Sequence, residues 1–389
     1  MYRVLMVAPT PFFSDRGCHI RIYEEAKHLS RLDVEIKLLT YNLGEDLPEV
    51  NIIRAKSWLR YKRIEAGPSW RKIFLDISLL RRLRELIEEF KPVLIHSHLH
   101  EGAFLSLQAV KDSIPVLLDY QGSLFSELKT HSRWFSFPLI NQMTRAMEKN
   151  INKRVRAILL NSQSLFRELG EVKEKVKWVG DGVDLERFYP QAPPGDLKPK
   201  LGLKNEPILV YLGLLTPYQG IDLLLEALKI LSRRGREFKA LIMGYPEYKY
   251  RRRAEKMGLK NQVLFTGRMD YFQAPKYLAL GKIGLAPKIS QTESNGKILN
   301  YLAMGLPVVC FDREVNRELA GDFAEYVSFV EGDEAGSAEN FAQGIERLLD
   351  SPLRCRELGE GARAWVEERY SWGAVAGRIF SVYQGLISN

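Results

Sequence analysis

Short apolar runs alternate with longer amphipathic stretches along the chain, in two successive sets. The first set of strand-like runs is VLMVAP, VEIKLLT, NIIRAK, VLIHSH, VLLDY and AILLNS, and the second is ILVYLG, KALIMG, VLFTG, IGLAP and PVVCF. Runs of this length are typical of strands that a parallel sheet buries on both faces. Because they alternate with helical stretches, the pattern predicts right-handed crossovers and an α/β protein with two Rossmann-like, doubly wound parallel-sheet domains.

Helical periodicity is clearest in the stretch from Arg71 to Phe90. Apolar side chains recur there at spacings of three and four, which is the pattern of one helix face. The residues of this stripe are Ile73, Ile77, Leu80, Leu83, Ile87 and Phe90. The spacing predicts that the stripe packs into the core of the first domain and takes no part in a functional site.

The segment WVGDGVDLERFYPQAPPGDLKPKLGL, between the two sets, is rich in Pro and Gly and has no regular period. It predicts a domain boundary near residue 185. Ligands of doubly wound domains bind beyond the carboxyl ends of the strands. We therefore expect two domains that face each other and share one cleft.

Composition narrows the class of protein. The chain has 389 residues, of which 46% are hydrophobic and 27% charged, as in a soluble globular protein of about two domains. Its three cysteines lie far apart without a CxxC pair, which predicts no disulfide framework and no thiolate metal site and fits a reducing cytoplasm. The early apolar run VLMVA is too short for a signal sequence or a membrane span, so we expect a cytoplasmic protein without a transmembrane segment.

The formal charge of +9 is unevenly distributed. Between Arg54 and Arg84, ten basic residues accompany only two acidic ones, with the aromatic residues Trp58, Tyr61, Trp70 and Phe74 among them. Such a mixture can dock on an anionic membrane surface or a phosphorylated lipid, at about 1 kcal/mol for each basic residue near the surface. The alternative is a solvated basic face. Nucleic acid is not an expected partner, because no recognised binding module accompanies the charge.

This basic stretch leads to a hypothesis about the acceptor. Arg60, Lys62 and Arg63 lie close together within it. We expect these three residues to contact a hydrophobic acceptor or the membrane, which would attach the protein peripherally to the inner face of the membrane.

The stretch YLGLLTPYQGID reads as a buried strand, a glycine-containing turn at Gly213 and the start of a helix. Such a turn is a recurrent way to hold a phosphate, because unpaired backbone N–H groups attract anions there. Its polar members, Thr216, Tyr218 and Gln219, carry no positive charge at neutral pH. The sequence therefore predicts a phosphate turn that takes its cation from elsewhere.

Three further segments resemble a known family. VGDGVDLERFYP resembles the PNGVDxxxFxP segment of the family-4 glycosyltransferases of GT-B fold, and ESNGKILNYLAMGLPVV resembles their donor-binding signature. ERYSWGAVAGRIFSVYQGLI resembles their last helix, which crosses back onto the first domain. The resemblance covers essentially the whole chain. It implies an acceptor-side domain over 1–185, a donor-binding domain over 186–365 and a returning helix over 366–389.

The resemblance also implies an activity. Members of the family are retaining transferases that move a sugar from a nucleotide diphosphate donor to a hydroxyl acceptor and need no metal, so no metal site or cofactor is expected. The acceptor would be a membrane-associated glycolipid or a cell-surface glycan. Two alternatives remain open, a sugar-nucleotide epimerase of the same fold and a non-catalytic relative. The second is motivated by departures from the family pattern at Gln121, Leu214, Gln219 and Asn300.

Four residues take roles by position in the family pattern. Gly17 matches the glycine that lets the backbone approach the donor phosphates, although a turn that needs positive φ would equally select glycine. Glu293 matches the acid that contacts hydroxyls of the donor sugar, the alternative being a solvated helix cap. Asn300 stands where the family has a ribose-binding acid. Gln121 stands where the family often has a histidine.

His98 ends the preceding strand, and we consider it for a catalytic role beside Gln121 and Glu293. The alternative for His98 is a hydrogen-bonded structural histidine.

The donor diphosphate requires positive charge. Leu214 and Gln219 occupy the positions of the Arg and Lys that hold the diphosphate in the family. The segment SNGKILN predicts a replacement, a helix capped by Ser294 or Asn295 that carries Gly296 and Lys297 in its first turn.

A lysine at that place opposes the helix dipole unless an anion lies against it. Arg268 and Lys288, at the ends of neighbouring strand-like runs, are expected to contribute to phosphate binding as well. The alternative is that Lys297 points into solvent.

Overall fold

The computed structural model describes residues 1–56, 72–110, 114–123, 138–290 and 293–388. The chain forms two compact units, one made of Met1–Asp181 with Trp372–Asn389 and the other of Gly182–Ser371. The divisions thus fall a few residues from the positions 185 and 365 taken from the sequence. The chain leaves the first unit once and returns to it with its last helix.

The first unit contains a seven-stranded parallel sheet in the order β3-β2-β1-β4-β5-β6-β7. Its strands are β1 Tyr2–Ala8, β2 Val34–Tyr41, β3 Ile52–Ala55, β4 Leu94–His98, β5 Val116–Tyr120, β6 Ala157–Leu160 and β7 Val176–Trp178. Most strand residues are buried, as the continuous apolar runs predict.

Helices cover this sheet. Those described in the first unit are α1 Gly17–Leu29, α2 Lys72–Phe90, α3 Leu99–Val110, α4 Pro138–Arg154 and the final helix α13 Trp372–Ile387. A 3-10 segment, Gln163–Lys175, precedes β7. Helix α13 packs against α1.

The buried face of α2 differs from the predicted one. Ile73 and Ile77 are 59% and 61% exposed, so their assignment to the core was wrong. The buried residues are Leu75, Leu79, Leu83, Leu86 and Phe90. These also recur at spacings of three and four, so α2 carries two neighbouring apolar stripes that share Leu83 and Phe90, and periodicity alone did not separate them.

The second unit contains a six-stranded parallel sheet in the order β10-β9-β8-β11-β12-β13. Its strands are β8 Ile208–Leu212, β9 Lys239–Met243, β10 Val263–Gly267, β11 Ile283–Ala286, β12 Val308–Phe311 and β13 Ala324–Val327. The eight helices described in this unit are α5 Leu197–Lys200, α6 Ile221–Arg233, α7 Tyr248–Lys256, α8 Ala274–Leu278, α9 Lys297–Ala303, α10 Glu314–Ala320, α11 Glu334–Asp350 and α12 Pro352–Tyr370.

Both sheets are doubly wound. The strand order reverses between β1 and β4 in the first sheet and between β8 and β11 in the second. At such a switch point the two loops that follow the strands separate to opposite faces and leave a crevice, where ligands of these folds bind. In the second unit, the crevice lies beside the residues that follow Leu212 and Ala286.

Candidate functional site

The turn after β8 packs against the segment that follows β11. Gly213 and Gly220 have φ values of +143° and +75°, which side chains rarely adopt. A Cβ atom on Gly220 would lie 1.8 Å from the carbonyl oxygen of Pro287. The backbone N–H of Ile289 donates to the carbonyl of Tyr218 at 3.2 Å. These contacts hold the predicted phosphate turn at the switch point of the second sheet.

Lys297 reaches this turn from α9. Its Nζ donates to Oε1 of Gln219 at 2.6 Å and lies 5.0 Å from the ring centroid of Tyr211. A Cβ atom on Gly213 would approach Lys297 Cε to 3.0 Å, so glycine leaves room for the lysine stem. The structure therefore brings together the turn that lacks a cation and a lysine from 78 positions further along the chain.

The surroundings of Lys297 disfavour its charged form. Burial lowers the pKa of the Lys297 ammonium well below its usual range, and the nearby charge of Lys288 lowers it further. An anion placed at Lys297 would reverse this effect, since an opposite charge favours the ammonium.

Lys288 follows β11 and is only 4% exposed. Its Nζ lies 3.0 Å from Oε2 of Glu293 and donates to the carbonyl of Ser294 at 2.7 Å. The Glu293 side chain is 38% exposed, so one end of the ion pair is buried and the other reaches the surface. Lys288 thus sits beneath the segment that carries the predicted sugar-binding acid.

The predicted cap of α9 was wrong. Gly296 occupies the N-cap position, without a side-chain capping bond, and the helix begins at Lys297. Asn295 is buried and its Nδ2 donates to Oδ1 of Asn316 at 3.0 Å, so its side chain packs the segment instead of capping the helix. Asn300 lies partly buried in the same short helix.

Tyr301 holds the two switch-point strands together. Its hydroxyl accepts from the backbone N–H of Leu212 at 2.8 Å and donates to the carbonyl of Leu285 at 3.3 Å. A Cβ atom on Gly284 would lie 2.6 Å from the Tyr301 ring, so the glycine makes room for it. The sequence analysis missed this residue. The only signal was a tyrosine four positions after Lys297, on the same helix face.

Arg268 is linked to the same turn through Tyr245. It is exposed, and its guanidinium carbon is 6.0 Å from the ring centroid of Tyr245. The carbonyl of Tyr245 accepts from the backbone N–H of Leu215 at 2.9 Å. Arg268 therefore neighbours the turn from the β9 side, whereas Lys288 and Lys297 approach it from the β11 side.

The remaining predicted residues belong to the first unit. Gly17 is the first residue of α1, and its φ is not positive. The explanation by positive φ was therefore wrong. A Cβ atom at Gly17 would meet nothing within 4 Å, so no contact in the described structure excludes a side chain there. The predicted acceptor or membrane contacts Arg60, Lys62 and Arg63 lie outside the described residues.

His98 and Gln121 meet at Asp119. His98 on β4 and Asp119 on β5 are register partners, with His98 Nδ1 3.2 Å from Asp119 Oδ2. Gln121 Nε2 donates to the same oxygen at 2.7 Å. His98 is completely buried, which favours the structural alternative for this histidine.

Arg21 of α1 completes this cluster. Its Nε donates to both oxygens of Asp119 at 3.0 and 3.1 Å, and its Nη2 lies 2.8 Å from Oε1 of Glu25. Burial raises the pKa of Asp119, but the charges and hydrogen bonds of Arg21 and His98 together outweigh burial and leave that pKa below its usual range. Burial raises the pKa of Glu25 well above its usual range, against the charge of Arg21.

The cluster also brings together four side chains of types that ligate metal ions. Glu25, His96, His98 and Asp119 each offer one ligand atom, and these atoms lie within 4.8 Å of one another. However, the guanidinium of Arg21 already contacts both carboxylates. The arrangement therefore suits the guanidinium of Arg21 as its cation better than an added metal ion.

Two family comparisons cover most of the chain. The profile described as Glycosyltransferase Family 4 matches residues 16–187, and the profile described as Glycosyl transferases group 1 matches residues 195–365.

Individual relatives agree with the profiles. The chain is 28% identical over 199 residues to an alpha-D-kanosaminyltransferase of Streptomyces kanamyceticus, which covers 50% of each chain. It is 27% identical over 214 residues to a GDP-mannose-dependent monoacylated alpha-(1-6)-phosphatidylinositol monomannoside mannosyltransferase of Corynebacterium glutamicum, covering 52% of this chain and 54% of the relative. The chain thus spans about half the length of these two curated relatives.

A solved structure matches over the full length. The sucrose-phosphate synthase of Thermosynechococcus elongatus aligns with a TM-score of 0.82 at 19% identity and covers 100% of both chains. At this identity the likeness establishes the fold alone. The two profiles show that the chain belongs to the family-4 glycosyltransferases, and the structural match shows that it has the GT-B fold.

Proposed function

We propose that this protein transfers a sugar from a nucleotide diphosphate donor to a hydroxyl acceptor, with the donor bound at the switch point of the second sheet. The observation that carries the proposal is the contact of Lys297 with Gln219 in the turn after β8. This ammonium stands where a phosphate-holding cation is needed. A departing diphosphate is stabilised chiefly by fixed positive charge and backbone N–H groups.

Each site residue then has a role in the transfer. Lys297 and the backbone of the turn bind the diphosphate, and the Gln219 amide orients the Lys297 ammonium. Glu293 accepts hydrogen bonds from hydroxyls of the donor sugar. Because lysine supplies the positive charge, the transfer needs no metal ion. The likeness to a family of retaining transferases supports a transfer in which the sugar keeps its anomeric configuration.

The donor proposal is tested with a panel containing UDP-glucose, GDP-mannose and ADP-glucose, first by thermal shift and then by release of the nucleotide. A donor present at a hundred times its dissociation constant is expected to stabilise the protein by about 2.7 kcal/mol. Release is expected to continue in EDTA, with retention seen in the product by NMR. The proposal fails if no nucleotide sugar binds and Glu293→Ala changes nothing. A product in which only the donor sugar is altered would indicate an epimerase.

We also propose a lipid-linked acceptor at an anionic membrane surface. The exposed Ile73 and Ile77 on α2 lie within the basic aromatic stretch that runs from Arg54 to Arg84. Apolar side chains beside basic ones favour binding at the lipid interface. The mannosyltransferase relative is named for a phosphatidylinositol-based acceptor. The described residues include no helix with the length and apolar character needed to cross a membrane.

Flotation with vesicles that contain phosphatidylglycerol tests this attachment. The wild type is expected to float at low salt, and the double variant Ile73→Gln with Ile77→Gln should bind about tenfold more weakly, because two apolar side chains no longer enter the interface. Leu353→Gln is the matched control, since Leu353 is 66% exposed on the second unit. If the wild type stays unattached even at low salt, the membrane proposal is wrong.

A further inference from the structure

Lys288 has a different environment from Lys297. It is buried beneath the segment that carries Glu293, with its Nζ 3.0 Å from Oε2 of Glu293, 2.7 Å from the Ser294 carbonyl and 5.9 Å from the ring centroid of Tyr218. A buried ammonium is tolerated only when it is paired and hydrogen bonded. The Glu293 carboxylate and the Ser294 carbonyl supply the charge partner and the hydrogen bond that a buried ammonium requires.

The charged groups Lys288, Glu293 and Lys297 serve two different functions. Lys288 and Glu293 form a neutral pair, whereas Lys297 contacts a neutral amide, Gln219. Because Lys288 is paired with Glu293, the positive charge offered to a bound anion is that of Lys297, whose ammonium the anion itself would favour. Without Lys288, the Glu293 carboxylate would repel an incoming diphosphate and would also lose the partner that holds it in one orientation.

We propose that Lys288 is a positioning residue, which holds Glu293 by its Oε2 so that Oε1 accepts from a hydroxyl of the donor sugar, and which offsets the carboxylate charge near the donor phosphates. This inference rests on the proposed function. It predicts that Lys288 acts through Glu293 and does not touch the donor.

Three variants test this role: Lys288→Met, Glu293→Gln and the two combined. The first readout is kcat/KM with the best donor of the panel. Each single variant is expected to lose about tenfold, and the combined variant should be no worse than the poorer single one, because the two residues act as a unit.

The second readout is the dissociation constant of inorganic pyrophosphate, which has no sugar. Lys288→Met exposes the charge of Glu293 and is expected to weaken pyrophosphate binding about three- to tenfold, whereas Glu293→Gln leaves Lys288 uncompensated and should tighten it by a similar factor. The combined variant should return close to wild type. Damage to the fold would not produce opposite changes and then restoration. Lys256→Met, on an exposed residue of α7, is the control.

The outcomes separate the two proposals. If the wild type turns over no donor, the proposed function and this inference both fall. If the wild type is active but Lys288→Met keeps its kcat/KM, or the losses multiply in the combined variant, only the role of Lys288 is overturned. If Lys288→Met does not fold, Glu293→Gln decides alone, since unchanged or weaker pyrophosphate binding in that variant contradicts the inference.

Discussion

Replacing Arg21 with methionine is expected to lower the free energy of unfolding by about 3 to 5 kcal/mol, the cost of leaving one member of a buried ion pair without its partner. The Arg21 guanidinium holds Asp119 through Nε and Nη2 and donates from Nη1 to the carbonyl of Gly180 at 2.9 Å. All of these groups lie within the first unit, and the Asp119 side chain has no access to water. The variant would therefore bury an uncompensated carboxylate.

Urea unfolding of the variant and of Arg81→Met measures this effect. Arg81 also pairs with a glutamate, Glu85, but its side chain is 85% exposed, so its replacement is expected to change stability by less than about 1 kcal/mol. Equal losses in the two variants would mean that the buried pair contributes no more than a surface pair.

The Arg21 effect should depend on pH. In the wild type the lowered pKa of Asp119 gives stability above the usual carboxyl range, and this stability is lost as the pH falls through the pKa of the folded state. Without Arg21, burial raises the pKa of Asp119, so the carboxyl group becomes protonated at a higher pH. The difference in stability between wild type and variant should therefore be smaller near about pH 5 than near about pH 8.

Replacing Lys297 with methionine is expected to weaken pyrophosphate binding by about one to two powers of ten, since a hydrogen bond from a charged donor contributes about 1.5 to 3 kcal/mol. Methionine keeps the apolar stem beside Gly213 and Tyr211 and removes the ammonium. Because burial disfavours that ammonium in the unliganded protein, the variant should unfold at the same temperature as the wild type or higher. Isothermal titration calorimetry and thermal unfolding measure the two effects.

The pH dependence of pyrophosphate binding tests whether Lys297 supplies the positive charge. Its lowered pKa means that the ammonium loses its proton at a lower pH than an ordinary lysine does, so the affinity advantage of wild type over Lys297→Met should shrink as the pH rises. Lys256→Met should bind as the wild type does. An unchanged dissociation constant in Lys297→Met would remove the phosphate role of this residue.

The sequence predicted the strands better than the helix faces. Continuous apolar runs such as VLMVAP and PVVCF form buried parallel strands, because a strand that is covered on both faces needs apolar side chains at successive positions. The short strands β7, VKW, and β13, AEYV, were missed because each mixes polar and apolar residues over three or four positions. Helix α2 was recognised, but its two apolar stripes differ only in what packs against them.

The candidate site was partly predictable. The sequence assigned Gln219 and Lys297 to one phosphate site, because a phosphate turn without a cation must obtain one nearby, but it did not predict the hydrogen bond between them. The ion pair of Lys288 and Glu293 was not predicted, because two oppositely charged residues five positions apart in an irregular segment have no fixed spacing that would bring them together. The link between Arg21 and Asp119 spans 98 positions, and only the aspartate within the apolar run VLLDY signalled it.

The return of α13 to the first unit has a consequence for biosynthesis. Tyr383 of α13 is fully buried and hydrogen bonded to His96 of β4 at 2.7 Å. The first unit therefore cannot complete its core until the ribosome has made the whole of Gly182–Ser371, which takes on the order of 10 to 40 s at ordinary elongation rates. During that interval the nascent first unit exposes the surface that α13 later covers, whereas the second unit, continuous in sequence, is complete as soon as it leaves the exit tunnel.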